Sequence, residues 1–221
     1  MLDFSLCAIT RRVERLSRGH LEVARAALQG GVRMIQFRDK SLLDRELYEV
    51  AREMKRLAHE SRAALIVNDR PDIALATGAD GVHLGQEDVP IEAARRILGG
   101  EAVIGASVAD PSQAREAEEQ GASYVSVGSV FATTSKADAG EPIGIAPIIE
   151  IKRATRLPVI AIGGISLDNV VSVIRAGADG VAVISAVAEA EDMVVAASEF
   201  RRLIAEARRW AGGQEQSDDT A

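Results

Sequence analysis

Four segments of the chain repeat one pattern: Gly30-Gly31-Val32-Arg33-Met34-Ile35, Gly78-Ala79-Asp80-Gly81-Val82-His83-Leu84, Gly121-Ala122-Ser123-Tyr124-Val125-Ser126-Val127 and Gly177-Ala178-Asp179-Gly180-Val181-Ala182-Val183. In each, a glycine suited to ending a helix leads within a few residues into a short apolar run, which reads as a helix C-cap feeding a strand. The leading glycines lie about two βα units apart, at ~25 residues per unit. Four copies at about two units each predict eight units, the count of a (βα)₈ TIM barrel.

Reading the whole chain supports that count. Short runs rich in Val and Ile occur at Leu6–Thr10, Met34–Phe37, Ala64–Val67, Gly81–Leu84, Val103–Ala106, Tyr124–Val127, Pro158–Ile162 and Gly180–Ile184. Between them lie amphipathic helical stretches, including His20–Gln29, Leu43–Glu60, Ile91–Leu98, Ser112–Gln120, Ala146–Thr155 and Leu167–Ala176. Strict alternation of strand and helix implies a parallel sheet. An open doubly wound sheet would alternate in the same way, but the glycine fingerprint of a dinucleotide site is missing after the first strand. One barrel domain over residues 1–211 is expected, followed by Gly212–Ala221, which has no apolar anchor and is expected to be disordered.

Composition narrows the function. The net charge of −7 repels polyanions as a whole, so any phosphate must meet a local cluster of cations. Aromatic residues make up only 3%, too few for the stacking platforms of single-strand nucleic-acid binding. The lone cysteine, Cys7, lies in an apolar run and reads as a buried structural thiol, with no disulfide framework available. No basic stretch precedes a long apolar run at the N-terminus, and no segment approaches the ~18 apolar residues of a membrane span, so a cytoplasmic protein is expected.

Enzymes of this fold place their reacting groups where strands end. The second strand ends in Gln36-Phe37-Arg38-Asp39-Lys40, where Arg38 and Lys40 can point to the same side of an extended segment and meet one anion. The third ends in Asn68-Asp69 and the fourth in Gly85-Gln86-Glu87-Asp88. Asp69 and Asp88 either deliver two carboxylates to one Mg²⁺ or cap the helices that follow. His83 alternates with Val82 and Leu84 and should face the barrel interior, where a satisfied core histidine is the plainer reading. Ser107 follows the fifth strand. After the sixth comes a loop containing Thr133-Thr134-Ser135-Lys136, three hydroxyls and a cation suited to phosphate. The seventh strand ends in Gly163-Gly164-Ile165 and the eighth in Ile184-Ser185, and loops seven and eight form the recurrent phosphate site of this fold.

Taken together, these motifs resemble those of thiamine-phosphate synthases over about residues 5 to 205. The most specific are Gln36 through Lys40, Val67 through Arg70, Gly81 through Asp88, Thr133 through Lys136, and Ala161 through Ile165. The resemblance implies a transferase that joins a pyrimidine methyl diphosphate to a thiazole phosphate and releases pyrophosphate. It implies that Gln36, Phe37, Arg38, Asp39, Lys40, Asn68, Ser107 and Lys136 hold the pyrimidine diphosphate, with Arg38, Lys40, Ser107 and Lys136 acting in catalysis. Asp69 and Asp88 would bind Mg²⁺. Thr133, Thr134, Ser135, Gly164, Ile184 and Ser185 would hold the thiazole phosphate. The implied partners are these two small molecules, with neither nucleic acid nor membrane, in a monomer or a homo-oligomer.

The chain departs from the family at three positions. Ala132 and Ser135 stand where the family usually has proline and threonine, and Ala109 stands where it commonly has histidine. A thiazole tautomerase of the same fold is the second reading, but it uses a histidine near Ala109 as its acid/base. A non-catalytic phosphate-binding barrel is the third, and it has no need for two carboxylates beside three cations.

Overall fold

Helix C-terminal glycines turn the chain into strands in all four repeated segments, passing through a positive φ at Gly31, Gly78, Gly121 or Gly177. The computed structural model describes residues 2–135 and 140–218, with side chains described through residue 210. It also explains why the third residue is polar in three of the four copies, as Asp80, Ser123 and Asp179. The Asp80 carboxylate accepts from the Leu65 N–H at 2.8 Å and from Lys55 Nζ at 2.6 Å. Asp179 repeats this with Val159 N–H at 2.7 Å and Lys152 Nζ at 2.6 Å. In the third copy Ser123 Oγ accepts from Ile104 N–H at 3.1 Å. Each side chain satisfies the backbone donor at the start of the preceding strand, so the repeat recurs because that donor recurs.

The strands are β1 (Leu6–Thr10), β2 (Met34–Phe37), β3 (Ala64–Asn68), β4 (Gly81–Leu84), β5 (Val103–Val108), β6 (Tyr124–Val127), β7 (Val159–Ile162) and β8 (Gly180–Val183). They pair in parallel and in chain order, and β8 closes onto β1, giving a closed eight-stranded barrel. The helices are α1 (His20–Gln29), α2 (Asp44–Glu60), α3 (Pro71–Thr77), α4 (Ile91–Leu98), α5 (Pro111–Glu119), α6 (Ala146–Ala154), α7 (Val170–Arg175), α8 (Ser185–Ala188) and α9 (Met193–Asp218). Helix α9 continues into the segment Gly212–Ala221, whose composition predicts no ordered structure. Among the described residues, no helix is long and apolar enough to cross a membrane.

Strand alternation divides the core in two. One set, including Ile35, Leu65, Val82, Ile104, Val125 and Val181, packs outward against the helices. The other, Cys7, Ile9, Met34, Ile66, Tyr124, Ile160, Ala182 and Ile184, fills the barrel. Cys7 is accordingly a buried thiol. The interior has room for Tyr124 because its neighbour in β5 is Gly105, where a Cβ would stand 2.1 Å from the Tyr124 ring and 2.5 Å from His83 Nδ1.

This packing makes a comparison between two glycines. At Gly78 (φ 66°) an added Cβ meets nothing within 4 Å, so Gly78→Ala carries only the left-handed backbone cost of ~1 kcal/mol. Gly105→Ala overpacks a filled interior and should cost ~3 kcal/mol or more. Denaturant unfolding of both variants checks the ordering, and equal losses would contradict this description of the interior.

Candidate active site

Successive strands end at one rim, so residues far apart in sequence meet there. Leaving β2, Arg38 and Lys40 line a cleft of about 200 Å³ together with Asn68, Asp69, His83, Gln86, Asp88 and Ser107. Asp39, between them, is turned the other way. Although all three residues border a separate depression with Arg11, Arg12 and Glu189, Asp39 does not line this cleft. Its Oδ1 accepts from Ser41 N and Oγ at 2.7 and 2.6 Å, and its Oδ2 faces His20 Nε2 at 2.9 Å. These bonds hold the Asp39 carboxyl far below the usual range for its type, although burial opposes them. Phe37 is 1% exposed and packs in the outer core, away from the cleft.

Neither Asp69 nor Asp88 caps a helix. The N-cap of α3 is Arg70 and that of α4 is Pro90. Asp69 instead takes a φ of 61°, a left-handed conformation that aspartate tolerates better than most residues. Its carboxylate lies within hydrogen-bonding reach of Asp88. Burial and the neighbouring Asp88 push the Asp69 pKa up to about 6, against the pull of Lys40 and Arg38. Lys40 Nζ is 3.9 Å from Asp69 Oδ2, while Asp88 Oδ2 accepts from Gly85 N–H at 2.6 Å. Two carboxylates held against each other at the end of neighbouring strands form a natural place for a cation. Among the described residues no third His, Cys, Asp or Glu joins them. The donor set therefore fits a hard ion such as Mg²⁺, which takes one or two carboxylates and completes its shell with water and ligand oxygens.

Beneath the cleft, His83 is 7% exposed and both ring nitrogens have partners, Nδ1 with Tyr124 Oη at 2.9 Å and Nε2 with Ser107 Oγ at 3.0 Å. It is a satisfied core histidine whose far side orients a hydroxyl at the rim. Gln36 is 3% exposed in the same interior, and its Oε1 has no hydrogen-bond partner among the described residues. An amide oxygen left unmatched there costs free energy until something donates to it. It lies below the rim, in the interior shared with Tyr124 and Ser126.

A second cavity, of about 290 Å³, adjoins the first at Gln86 and Ser107 and reaches Ser129, Thr133, Ser135, Gly164, Ile184 and Ser185. Ser135 Oγ and Ser185 Oγ are 2.9 Å apart, so hydroxyls from the sixth and eighth loops converge. Thr133 Oγ1 accepts from Ser135 N–H at 3.1 Å. Thr134 lies on the outer side, in a shallow depression with Ser166 and Glu189. Lys136 lies outside the described residues. Gly164 has a φ of 62°, and a Cβ on it would stand 2.5 Å from the Ala132 carbonyl oxygen. Its missing side chain thus lets the loop after β6 close over the turn after β7. Ala109 lies on the cavity wall and offers no ionisable group. Sequence reasoning missed Gln86 as the residue between the two cavities, because a lone glutamine in a turn carries no pattern of its own. Its amide donates to the Ser107 carbonyl oxygen.

Comparisons with known proteins converge on one family. The family model described as Thiamine monophosphate synthase matches residues 6–187. A thiamine-phosphate synthase of Moorella thermoacetica is 50% identical over 188 residues, 85% of this chain and 90% of that protein. One from a Roseiflexus species is 50% identical over 199 residues, covering 90% of this chain and 84% of that one. Among solved structures, a thiamine phosphate pyrophosphorylase from Pyrococcus furiosus superposes with a TM-score of 0.84 at 44% identity, covering 93% of this chain and 97% of that one.

Repulsion between the carboxylates predicts a pH signature in metal-free protein. Because the folded-state pKa of Asp69 lies above its unfolded value, the native state binds the extra proton. Stability therefore falls as pH rises from about 4 through about 6. Asp69→Asn removes that fall and, in chelator at pH 7.5, should be more stable than the parent by on the order of 1–2 kcal/mol. Urea unfolding across pH 4–8 measures this, and an Asn variant less stable at pH 7.5 would contradict the pairing.

Proposed function

The chain belongs to the thiamine-phosphate synthase family, and on that premise we propose that it joins a pyrimidine methyl diphosphate to a thiazole phosphate, yielding thiamine phosphate and pyrophosphate. The observation that carries the reading is the meeting of Asp69, Asp88, Arg38 and Lys40 in one cleft beside a cavity lined by Ser135, Gly164 and Ser185. Two phosphate-bearing substrates can then lie end to end, with their reacting atoms near Ser107 and Gln86, where the cavities adjoin.

The chemistry follows from the charges. As the bond between the pyrimidine methylene carbon and the diphosphate oxygen breaks, negative charge grows on the leaving pyrophosphate. Arg38 and Lys40, with Lys136 from the sixth loop, stabilise that charge more than the ground state. Mg²⁺ held by Asp69 and Asp88 would add a divalent charge at the same oxygens. The aminopyrimidine donates electron density to the methylene carbon, and the thiazole nitrogen attacks it. No covalent nucleophile on the protein is needed, consistent with the burial of Cys7 inside the barrel. Hydroxyls of Thr133, Ser135 and Ser185 and the backbone at Gly164 and Ile184 hold the thiazole phosphate, with Thr134 left on the outer side of the loop. Gln36, Asn68 and Ser107 hold the pyrimidine, and the unmatched Gln36 Oε1 suits an amino donor. A tautomerase needs a positioned acid/base, and Ala109 on the cavity wall supplies none.

Incubating purified protein with both substrates and Mg²⁺, with product identification by mass spectrometry, should yield thiamine phosphate and pyrophosphate, and chelation should abolish both. Asp69→Asn and Asp88→Asn should each reduce turnover by ~10²-fold or more, and Lys136→Ala should be strongly impaired, while Cys7→Ser remains active. Interconversion of thiazole tautomers without pyrophosphate release would overturn the synthase reading.

The two halves of the mouth separate kinetically. Ser185→Ala should raise KM for the thiazole phosphate by ~10-fold, the loss of a charge-assisted hydrogen bond, and leave KM for the pyrimidine diphosphate within about twofold. Gly164→Val is a poorer probe because it would displace the loop at Ala132. Equal changes in both constants for Ser185→Ala would contradict the assignment of the second cavity.

A further inference from the structure

The cations of the first cleft sit on a strand extension that has no regular pairing of its own, so something must hold them in place. Residues 38–43 lie between β2 and α2, and Arg38 and Lys40 are separated by the outward-facing Asp39. The Asp39 carboxylate collects Ser41 N at 2.7 Å, Ser41 Oγ at 2.6 Å, Leu42 N at 3.2 Å, Arg12 Nε at 3.2 Å and His20 Nε2 at 2.9 Å. The Ser41 and Leu42 contacts are local to the loop. Arg12 is an exposed side chain, 45% accessible, and its contact is correspondingly weak.

His20 is different. It opens α1, its side chain is only 4% accessible, and its other ring nitrogen is 2.9 Å from Thr10 Oγ1 at the end of β1. The His20 ring packs edge-on against Phe37 at 4.9 Å between centroids. Burial lowers the His20 pKa despite the pull of Asp39, so near neutral pH the ring is uncharged. Its Nε2–H then donates to Asp39 while Nδ1 accepts from Thr10, which uses both nitrogens and fixes the ring.

We propose that His20 is a positioning residue for the pyrophosphate-binding arm: by bracing Asp39 against Thr10 of β1, it holds Arg38 and Lys40 facing the cleft. Neither His20 nor Thr10 lines either cavity, so the effect passes through the backbone of residues 38–40. Such bracing matters because cations aimed at developing charge lose much of their effect when displaced by an ångström or so. The inference rests on the synthase reading for the identity of the ligand, but its geometry concerns any diphosphate bound on Arg38 and Lys40.

The test compares wild type, His20→Ala and His20→Gln, whose amide nitrogen can reach the Nε2 position. Two readouts are taken: calorimetric binding of inorganic pyrophosphate with Mg²⁺, and steady-state KM for each substrate. His20→Ala should weaken pyrophosphate binding and raise KM for the pyrimidine diphosphate by ~10-fold or more, with KM for the thiazole phosphate within about twofold. His20→Gln should recover most of that loss. If the alanine variant does not fold, His20→Leu, which retains the buried volume, takes its place with the same expectation. Unchanged pyrophosphate affinity, or an equal rise in both KM values, overturns the proposal. A wild type that binds pyrophosphate but makes no thiamine phosphate refutes the synthase reading alone, leaving the calorimetric comparison to judge His20. A wild type that does not bind pyrophosphate overturns both.

Discussion

Closure of β8 onto β1 is the constraint from which the rest of the molecule follows. Parallel strands joined in sequence order and sealed into a ring must all end at the same rim. Eight loops of different sequence are thereby forced within reach of one another, and the filled interior keeps them from collapsing inward. The Asp80 and Asp179 carboxylates, each tied to the start of a neighbouring strand and to a lysine of the preceding helix, secure the opposite end. The lower end is therefore built of repeated, self-satisfying contacts, whereas the upper rim carries the polar groups that line the two cavities.

That division explains the electrostatics of the rim. A chain with a net charge of −7 presents Arg38 and Lys40 beside two carboxylates that push against each other. Such an arrangement is unfavourable while both carboxylates are charged, and a cation bound between them would relieve it. Among the described residues, the second cavity, with its hydroxyls and glycine turn, has no carboxylate on its wall. Charge alone thus distinguishes the two halves of the mouth.

Much of the fold is legible in the amino-acid sequence. Strands such as Met34–Phe37, Gly81–Leu84 and Tyr124–Val127 begin and end where the apolar runs do, although each carries one inward-facing polar residue, Gln36, His83 or Ser126. β5 runs on to Val108, past the expected end at Ala106, because Ser107 interrupts the apolar run while its backbone stays paired with Ser126. At the site, alternation in the extended segment leads to the expectation that Arg38 and Lys40 share one side, and both line the cleft that Asp39 does not. It cannot show that Asp39 reaches His20, a contact between residues 19 positions apart that only the packing of α1 on β2 creates. Nor can it show that Gly164 is required by the loop at Ala132, since both the turn and its neighbour depend on β6 and β7 being adjacent. Residue type and strand position are local properties, whereas the partner of each polar atom belongs to the closed barrel.

The most direct test of the account is a crystal structure of the protein with thiamine phosphate, pyrophosphate and Mn²⁺ in place of Mg²⁺, using anomalous scattering to locate the metal. The account predicts one metal peak bridging Asp69 and Asp88, pyrophosphate on Arg38 and Lys40, and the thiazole phosphate against Gly164, Ser135 and Ser185. A metal bound elsewhere, or the two phosphate groups in exchanged positions, would contradict it.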